Sequence, residues 1–265
     1  MKRITSILIT NLFVVAAFAQ APKTPQPTPV KNAPPPVPAA PATPPRPVQV
    51  APDTVKTPIA GKPGAEMWVQ HGYNAEISAT GMMVNGVKEG MWKTYHPNGC
   101  LNRIELYQNG SFNGLVLSIG RNGNLDSEEN YKNGKLDGQQ YFYTYSGNKK
   151  KSENYVNGIL DGKRLLFYDN DKPQEQTEWK MGIKHGLAKW FNGEGKCVIE
   201  YTYNNGILDG PAKDYFASGK VKREGQYKND NETGEWKEYD EEGNLVKTII
   251  YKDGVVTKEI PAKKN

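Results

Sequence analysis

From Asn85 to Lys252, large apolar side chains recur at fixed places in an otherwise polar chain. The spacing is 24 residues and gives seven units, starting at residues 85, 109, 133, 157, 181, 205 and 229, with an eighth begun at Asp253. The eleventh position of the unit is Tyr95, Ile119, Tyr143, Phe167, Phe191, Tyr215 or Tyr239. The twenty-third is Tyr107, Tyr131, Tyr155, Trp179, Tyr203, Tyr227 or Tyr251. Glycine punctuates the pattern: it holds the second position in six of seven units, the sixth in all seven, and the fifteenth in six, with Asp171 the exception. Asn-Gly pairs supply the positive φ angles that tight hairpin turns require. The stretches between are short enough for strands and too short for ordinary helices. Each unit therefore reads as a β-hairpin plus the turn into the next, in an array whose period marks a repeat architecture.

With the hairpin turn centred near the fourteenth position, the eleventh lies opposite the seventeenth, which is Leu101, Leu125, Val221 or Leu245 in four units. Such aromatic–aliphatic pairs contribute about 0.2–1 kcal/mol each. Repetition turns them into rows that cross the strands, so coupling between neighbours holds the array together. The remaining strand positions are mainly Lys, Glu, Asn, Gln and Thr, and only 37% of the chain is hydrophobic. Strands this polar are not buried on both faces, which excludes a parallel sheet wrapped in helices. They also lack the outward apolar band of a membrane barrel. The expected fold is all-β: an elongated, twisted, single-layer antiparallel meander of seven 24-residue hairpin repeats, on the order of 14 strands.

Residues 64–84 carry Trp68 in phase with Trp92 and Trp236 and read as a degenerate capping repeat before the seven repeats of 85–252. Residues 253–265 read as a last strand and tail, whose Lys258, Lys263 and Lys264 blunt an open edge. The fourth unit departs from the pattern at YDNDKPQ, where Pro173 and the missing glycine predict an irregular turn or kink.

The consensus NGxxxGxWxxYxxNGxLxxExxYx resembles the variant MORN repeat of bacterial proteins often labelled as antitoxins. The resemblance covers residues 85–252 fully and the flanks in part. It implies stacked hairpins in one antiparallel layer. MORN repeats found in enzymes accompany a separate catalytic domain, and none is evident here, so the chain is expected not to be an enzyme and to need no cofactor. The family label suggests an antitoxin or immunity role, and lipid binding is proposed for MORN repeats generally.

Residues 1–19, MKRITSILITNLFVVAAFA, have two basic residues, an apolar run and small residues at Ala17 and Ala19, the order of a secretory signal peptide cleaved near Ala19. Fourteen of the 19 prolines lie between Pro22 and Pro58, so residues 20–63 are expected to be a disordered Pro-rich linker biased to polyproline II, a spacer or a docking strip. The mature chain is thus expected in the periplasm or outside the cell. Residues 1–63 hold seven Lys/Arg and one acid, leaving 27 basic and 28 acidic residues in the rest. That near-neutral balance argues against nucleic acid as a partner and against the basic patch that anionic lipids require.

The three histidines, His71, His96 and His185, share no metal-ligand spacing and read as surface residues, with no metal site expected. Cys100 and Cys197 lie four units apart, about 38 Å in an open meander, too far for a disulfide and therefore free thiols. The Leu-Asp-Gly triplets ending at Gly138, Gly162 and Gly210 read as turn-forming rather than calcium-binding. The aromatic rows remain as candidate contacts. A single layer leaves part of each row accessible, so Tyr95, Tyr143, Phe167, Trp179, Phe191 and Tyr215 are the residues expected to touch a protein partner, with a glycan-binding face as an alternative.

Overall fold

The computed structural model describes residues 52–263. The expected signal peptide and residues 20–51 of the expected linker lie outside the described residues. Strands β1 (Thr54–Pro58), β2 (Ala65–His71) and β3 (Ile77–Val84) precede the seven repeats. The repeats comprise β4 (Val87–Tyr95), β5 (Leu101–Gln108), β6 (Ser111–Phe112), β7 (Gly114–Ile119), β8 (Leu125–Lys132), β9 (Lys135–Leu136), β10 (Gly138–Tyr143) and β11 (Lys149–Val156). They continue with β12 (Ile159–Phe167), β13 (Pro173–Lys180), β14 (Ile183–Phe191), β15 (Cys197–Asn204), β16 (Ile207–Tyr215), β17 (Val221–Lys228), β18 (Asn231–Tyr239) and β19 (Leu245–Lys252). Strand β20 (Val255–Pro261) closes the array. All 20 strands form one sheet, and successive arms pair antiparallel throughout. The chain is a single-layer β-meander, as its polar, punctuated pattern requires.

The hairpin register is the same in every repeat. Tyr95 lies opposite Leu101, Ile119 opposite Leu125, Tyr215 opposite Val221 and Tyr239 opposite Leu245. Each invariant sixth-position glycine faces the twenty-third-position aromatic, from Gly90 with Tyr107 to Gly234 with Tyr251. The fourth repeat follows the same rule, with Phe167 opposite Pro173. Its turn is regular, contrary to the expected kink. The Tyr168 amide bonds the Lys172 carbonyl at 2.8 Å, the counterpart of His96 with Cys100, and Asp171 takes the glycine's place at φ 60°. Aspartate tolerates the left-handed region better than most residues, so the motif survives the substitution.

Two-residue turns join the repeats, both residues having positive φ, as at Asn85 (48°) and Gly86 (81°). Each turn also docks on the repeat before it. The Gly110 amide reaches the Lys88 carbonyl at 3.0 Å, and Gly158, Gly182 and Gly206 repeat the contact with Leu136, Leu160 and Lys184. Fifth-position acids add a second tie: Glu89, Asp137 and Asp161 accept from the backbone amides of Asn109, Asn157 and Met181 at 2.7, 3.1 and 3.1 Å. Two of the Leu-Asp-Gly aspartates therefore fasten one repeat to the next.

The ends differ from the expected boundary in one respect. Ordered pairing begins before Gly64, because β1 pairs with β2 from Thr54↔Gln70 to Pro58↔Glu66. Proline is tolerated there because β1 is an edge strand. Residues 61–84 share the repeat register, with Trp68 opposite Gly81 and His71 opposite Ile77.

Candidate interaction faces

Successive residues of a strand point to opposite faces. The hydroxyls of Tyr107, Tyr131 and Tyr155 donate to Glu105, Glu129 and Glu153 at 3.0, 2.8 and 3.2 Å, so positions 23 and 21 share a face. Those of Tyr143, Tyr215 and Tyr239 donate to Glu128, to Glu200 at 3.1 Å and to Glu224 at 2.8 Å, so positions 11 and 20 share a face. Positions 20 and 21 are adjacent, so the two aromatic rows lie on opposite sides of the sheet. Of the six expected contact residues, all half-buried, Tyr95, Tyr143, Phe167, Phe191 and Tyr215 fall together and Trp179 does not. Trp179 instead donates its indole N–H to Thr177 Oγ1 at 2.8 Å on the other side. The cause is a bulge. Thr94 pairs with Arg103 and Tyr95 with Leu101, leaving Asn102 with no opposite number, and every hairpin repeats the shift. The extra residue inverts the alternation, so counting by twos across it gives the wrong face.

The face bearing positions 8, 21 and 23 is the packed one. In its C-terminal half Trp236 is fully buried (0% exposed) and lies flat on Gly225, where an added Cβ would fall inside the indole. Its N–H bonds the Gln226 carbonyl at 3.1 Å. Trp92 repeats the arrangement on Gly81, with its N–H 2.9 Å from the Met82 carbonyl. Gln140, equally buried, serves the same position by hydrogen bonds: its side chain accepts from the Asn130 amide at 2.7 Å and donates to the Asn130 carbonyl at 3.1 Å. A chain of edge-on aromatic contacts runs from Trp190 through Tyr201, Tyr227 and Trp236 to Tyr251, with ring centroids 5.2–6.3 Å apart. Burial, then the Asp214 carboxylate, pushes the Tyr201 phenol well above its usual range. In the N-terminal half the packed face keeps buried Trp92 and Val116 and the neighbouring rings of Tyr107, Phe112 and Tyr131, and adds buried carboxylates. Buried Glu105 lies 3.3 Å from Arg103 and 3.7 Å from Lys88, and buried Glu153 lies 2.8 Å from Lys151 and 3.0 Å from Arg164. Burial, followed by the neighbouring carboxylate, raises Tyr107 and Tyr131 to about 12.

The opposite, open face differs between its halves. Its C-terminal half carries the pairs Lys189–Glu200 at 3.2 Å and Lys213–Glu224 at 2.9 Å. Hydrogen bonds from Lys213 and Tyr239 hold Glu224 below the usual carboxylate range. The N-terminal half carries Ile104 and Leu117 at the same two positions, with Leu106 and Leu115 two residues along the strands, bordered by Tyr95, Ile119 and Met91, the last 52% exposed. Tyr143 and Tyr215, at the borders of these regions, are raised to about 12, by burial first and then by Glu128 and Glu200.

A family model described as a MORN repeat variant matches residues 88–109, 112–133, 160–181, 208–229 and 232–253. The chain is a MORN-variant repeat protein. The intervening third and fifth repeats keep the MORN register, with Gly138 opposite Tyr155 and Gly186 opposite Tyr203. No curated protein matches the chain.

The other candidate side chains of the MORN array are in part tied into its structure and in part unpaired, His185 Nδ1 among the latter. The histidines are half-buried rather than surface groups: His71 Nδ1 lies 2.7 Å from Asp53, and His96 Nε2 lies 2.8 Å from the Ile119 carbonyl of the next repeat. Cys100 is an exposed free thiol and Cys197 a half-buried one, its pKa raised by burial and then by Glu200. Among the described residues no group of three His, Cys, Asp or Glu side chains is placed to hold a metal ion. The cleft between Arg223, Glu232, Glu238 and Tyr251 is lined by residues bonded to one another, Arg223 lying 2.6 Å from Glu232 and donating to the Tyr251 hydroxyl at 2.9 Å.

Proposed function

We propose that this MORN array is a non-catalytic scaffold, exported to the bacterial envelope, that binds a protein through its open face. The observation that supports this most is the apolar half of that face. Ile104, Leu106, Leu115 and Leu117 form an aliphatic patch on a single-layer sheet, beside the aromatic row of Tyr95, Tyr143 and Phe167. Large apolar patches rimmed by polar residues mark protein interfaces. Export rests on the amino-terminal order of basic, apolar and small residues, and the near-neutral charge of the repeats disfavours an anionic surface as the target. Cross-linked affinity purification of the tagged chain from its native envelope tests the reading. A stoichiometric protein partner, lost when Tyr95, Tyr143 and Phe167 are replaced by serine and kept when Trp179 is, is the expected result. A preparation free of any such partner overturns it.

A further inference from the structure

The row that crosses the open face through the first two repeats is Lys93, Ile104, Leu117 and Glu128. The register places them opposite one another in turn: Lys93↔Ile104, Ile104↔Leu117 and Leu117↔Glu128. Two residues along the strands, Met91 lies opposite Leu106 and Leu115 opposite Asn130. Four aliphatic side chains thus occupy the centre, with a cation on one flank and an anion on the other. In the fifth and sixth repeats the same two positions are Lys189–Glu200 and Lys213–Glu224, each pair joined within its own hairpin. Lys93 stands between Ile104 and Thr80, and Glu128 stands between Leu117 and Tyr141 and accepts from the Tyr143 hydroxyl; neither forms an ion pair with another described residue. Three strand spacings, about 14 Å, separate them.

We propose that this patch packs face to face on the same patch of a second copy, about a two-fold axis running along the strands between β5 and β7. Rotation about that axis reverses the order of the row. Lys93 of one copy then stands over Glu128 of the other, and Ile104 over Leu117, twice per dimer. The row is self-complementary in both charge and apolarity, which an isologous contact demands. The size also fits. Strands β3, β4, β5, β7, β8 and β10, at about 4.8 Å each, and roughly seven residues of height give a face of about 29 × 23 Å, near 670 Å². A stable interface covers about 800 Å² per partner. Sheets stacked in this way lie about 10 Å apart with strands within about 30° of each other. The proposal deepens the reading of the open face as an interaction surface by naming the partner of its N-terminal half.

Sedimentation velocity of the full chain tests it. The expected result is a concentration-dependent dimer with a Kd of roughly 1–10 µM. Lys93→Glu or Glu128→Lys alone weakens it about tenfold, because like charges then face each other. The double variant Lys93→Glu/Glu128→Lys restores the dimer, since the reversed charges meet again across the axis. Leu117→Lys gives a monomer with the wild-type circular dichroism spectrum. A wild-type chain that stays monomeric to about 100 µM, a dimer that withstands Leu117→Lys, or a double variant no tighter than the singles overturns the proposal. The scaffold reading is judged separately, by whether an unrelated envelope protein co-purifies with the Lys93→Glu variant at dilutions where that variant is monomeric, since its aliphatic patch and aromatic row are intact.

Discussion

The first three and last three repeats share one backbone but differ in where they put buried carboxylates and outward-facing aliphatic side chains. In the fifth to seventh repeats the packed face is mainly aromatic and aliphatic, with Ala188, Trp190, Ala212, Trp236 and Ile249 around the Arg223–Glu232 pair, while the open face holds Lys–Glu pairs. In the first three, Glu105 and Glu153 are buried on the packed face among Lys and Arg, while leucine and isoleucine look outward. The repeat backbone needs only its glycines, its turn residues and a filled eighth position. What fills that position is free, provided its neighbour compensates: Trp236 requires glycine across from it, whereas Val116 and Gln140 do not. Apolar surface placed outward is therefore available for binding without cost to the array.

Substitutions at the eighth position sharpen this contrast most. Trp236→Ala should destabilise by about 3–5 kcal/mol, because it empties a fully enclosed site. Gly225→Ala should also be severe, yet nearly harmless in the Trp236→Ala background, where the ring no longer occupies the space. Gln140→Ala, its N-terminal counterpart, should cost less, about 1–3 kcal/mol, by leaving the Asn130 amide and carbonyl unpaired. Equilibrium denaturation in urea measures all three, and equal losses at Trp236 and Gln140 would erase the distinction between the two ways of filling this position.

The turns give a smaller effect. Met181 stands at φ 50° where most repeats have asparagine, and 71% of it is exposed, so its side chain offers little in return for the strained backbone. Met181→Asn should stabilise by about 0.5–1 kcal/mol, read as a raised melting temperature. On the open face a double-mutant cycle at Lys213 and Glu224 should give about 0.2–1 kcal/mol, and the cycle at Lys93 and Glu128 in the monomer about zero.

Alkaline pH probes the tyrosines of both faces. Tyr107, Tyr131, Tyr143 and Tyr215 hold their protons to about 12 when folded, above the ordinary value of 10.0. Between these values the unfolded chain has released protons that the folded chain retains, so stability falls as pH rises through that window. Phenolate absorbance should accordingly lag behind that of the urea-unfolded chain. Coincident titration curves would contradict the hydrogen-bonded placement of these hydroxyls.

Much of this was legible in the residues. The 24-residue period, the hairpins and the pairing of positions 11 and 17 follow from Asn-Gly spacing and aromatic recurrence alone. The faces were not, because one unpaired residue such as Asn102 inverts strand alternation and nothing in its side chain announces a bulge. The same blindness grouped Trp179 with Tyr95. Asp171 read as a break because glycine is the usual left-handed residue, although aspartate serves too. The strand at Thr54–Pro58 was hidden by its proline-rich surroundings. The outward placement of aliphatic side chains in the first repeats becomes visible only once the faces are assigned.

Oxidative footprinting of methionine tests the central claim, that the open face of the first repeats is covered when the protein works. Met91 borders that patch, and Met181, in a turn of the fifth repeat, is the internal standard; both are exposed in the isolated chain. The account predicts comparable oxidation in dilute solution and selective protection of Met91 in the native envelope. Equal reactivity of the two methionines in both settings would contradict it.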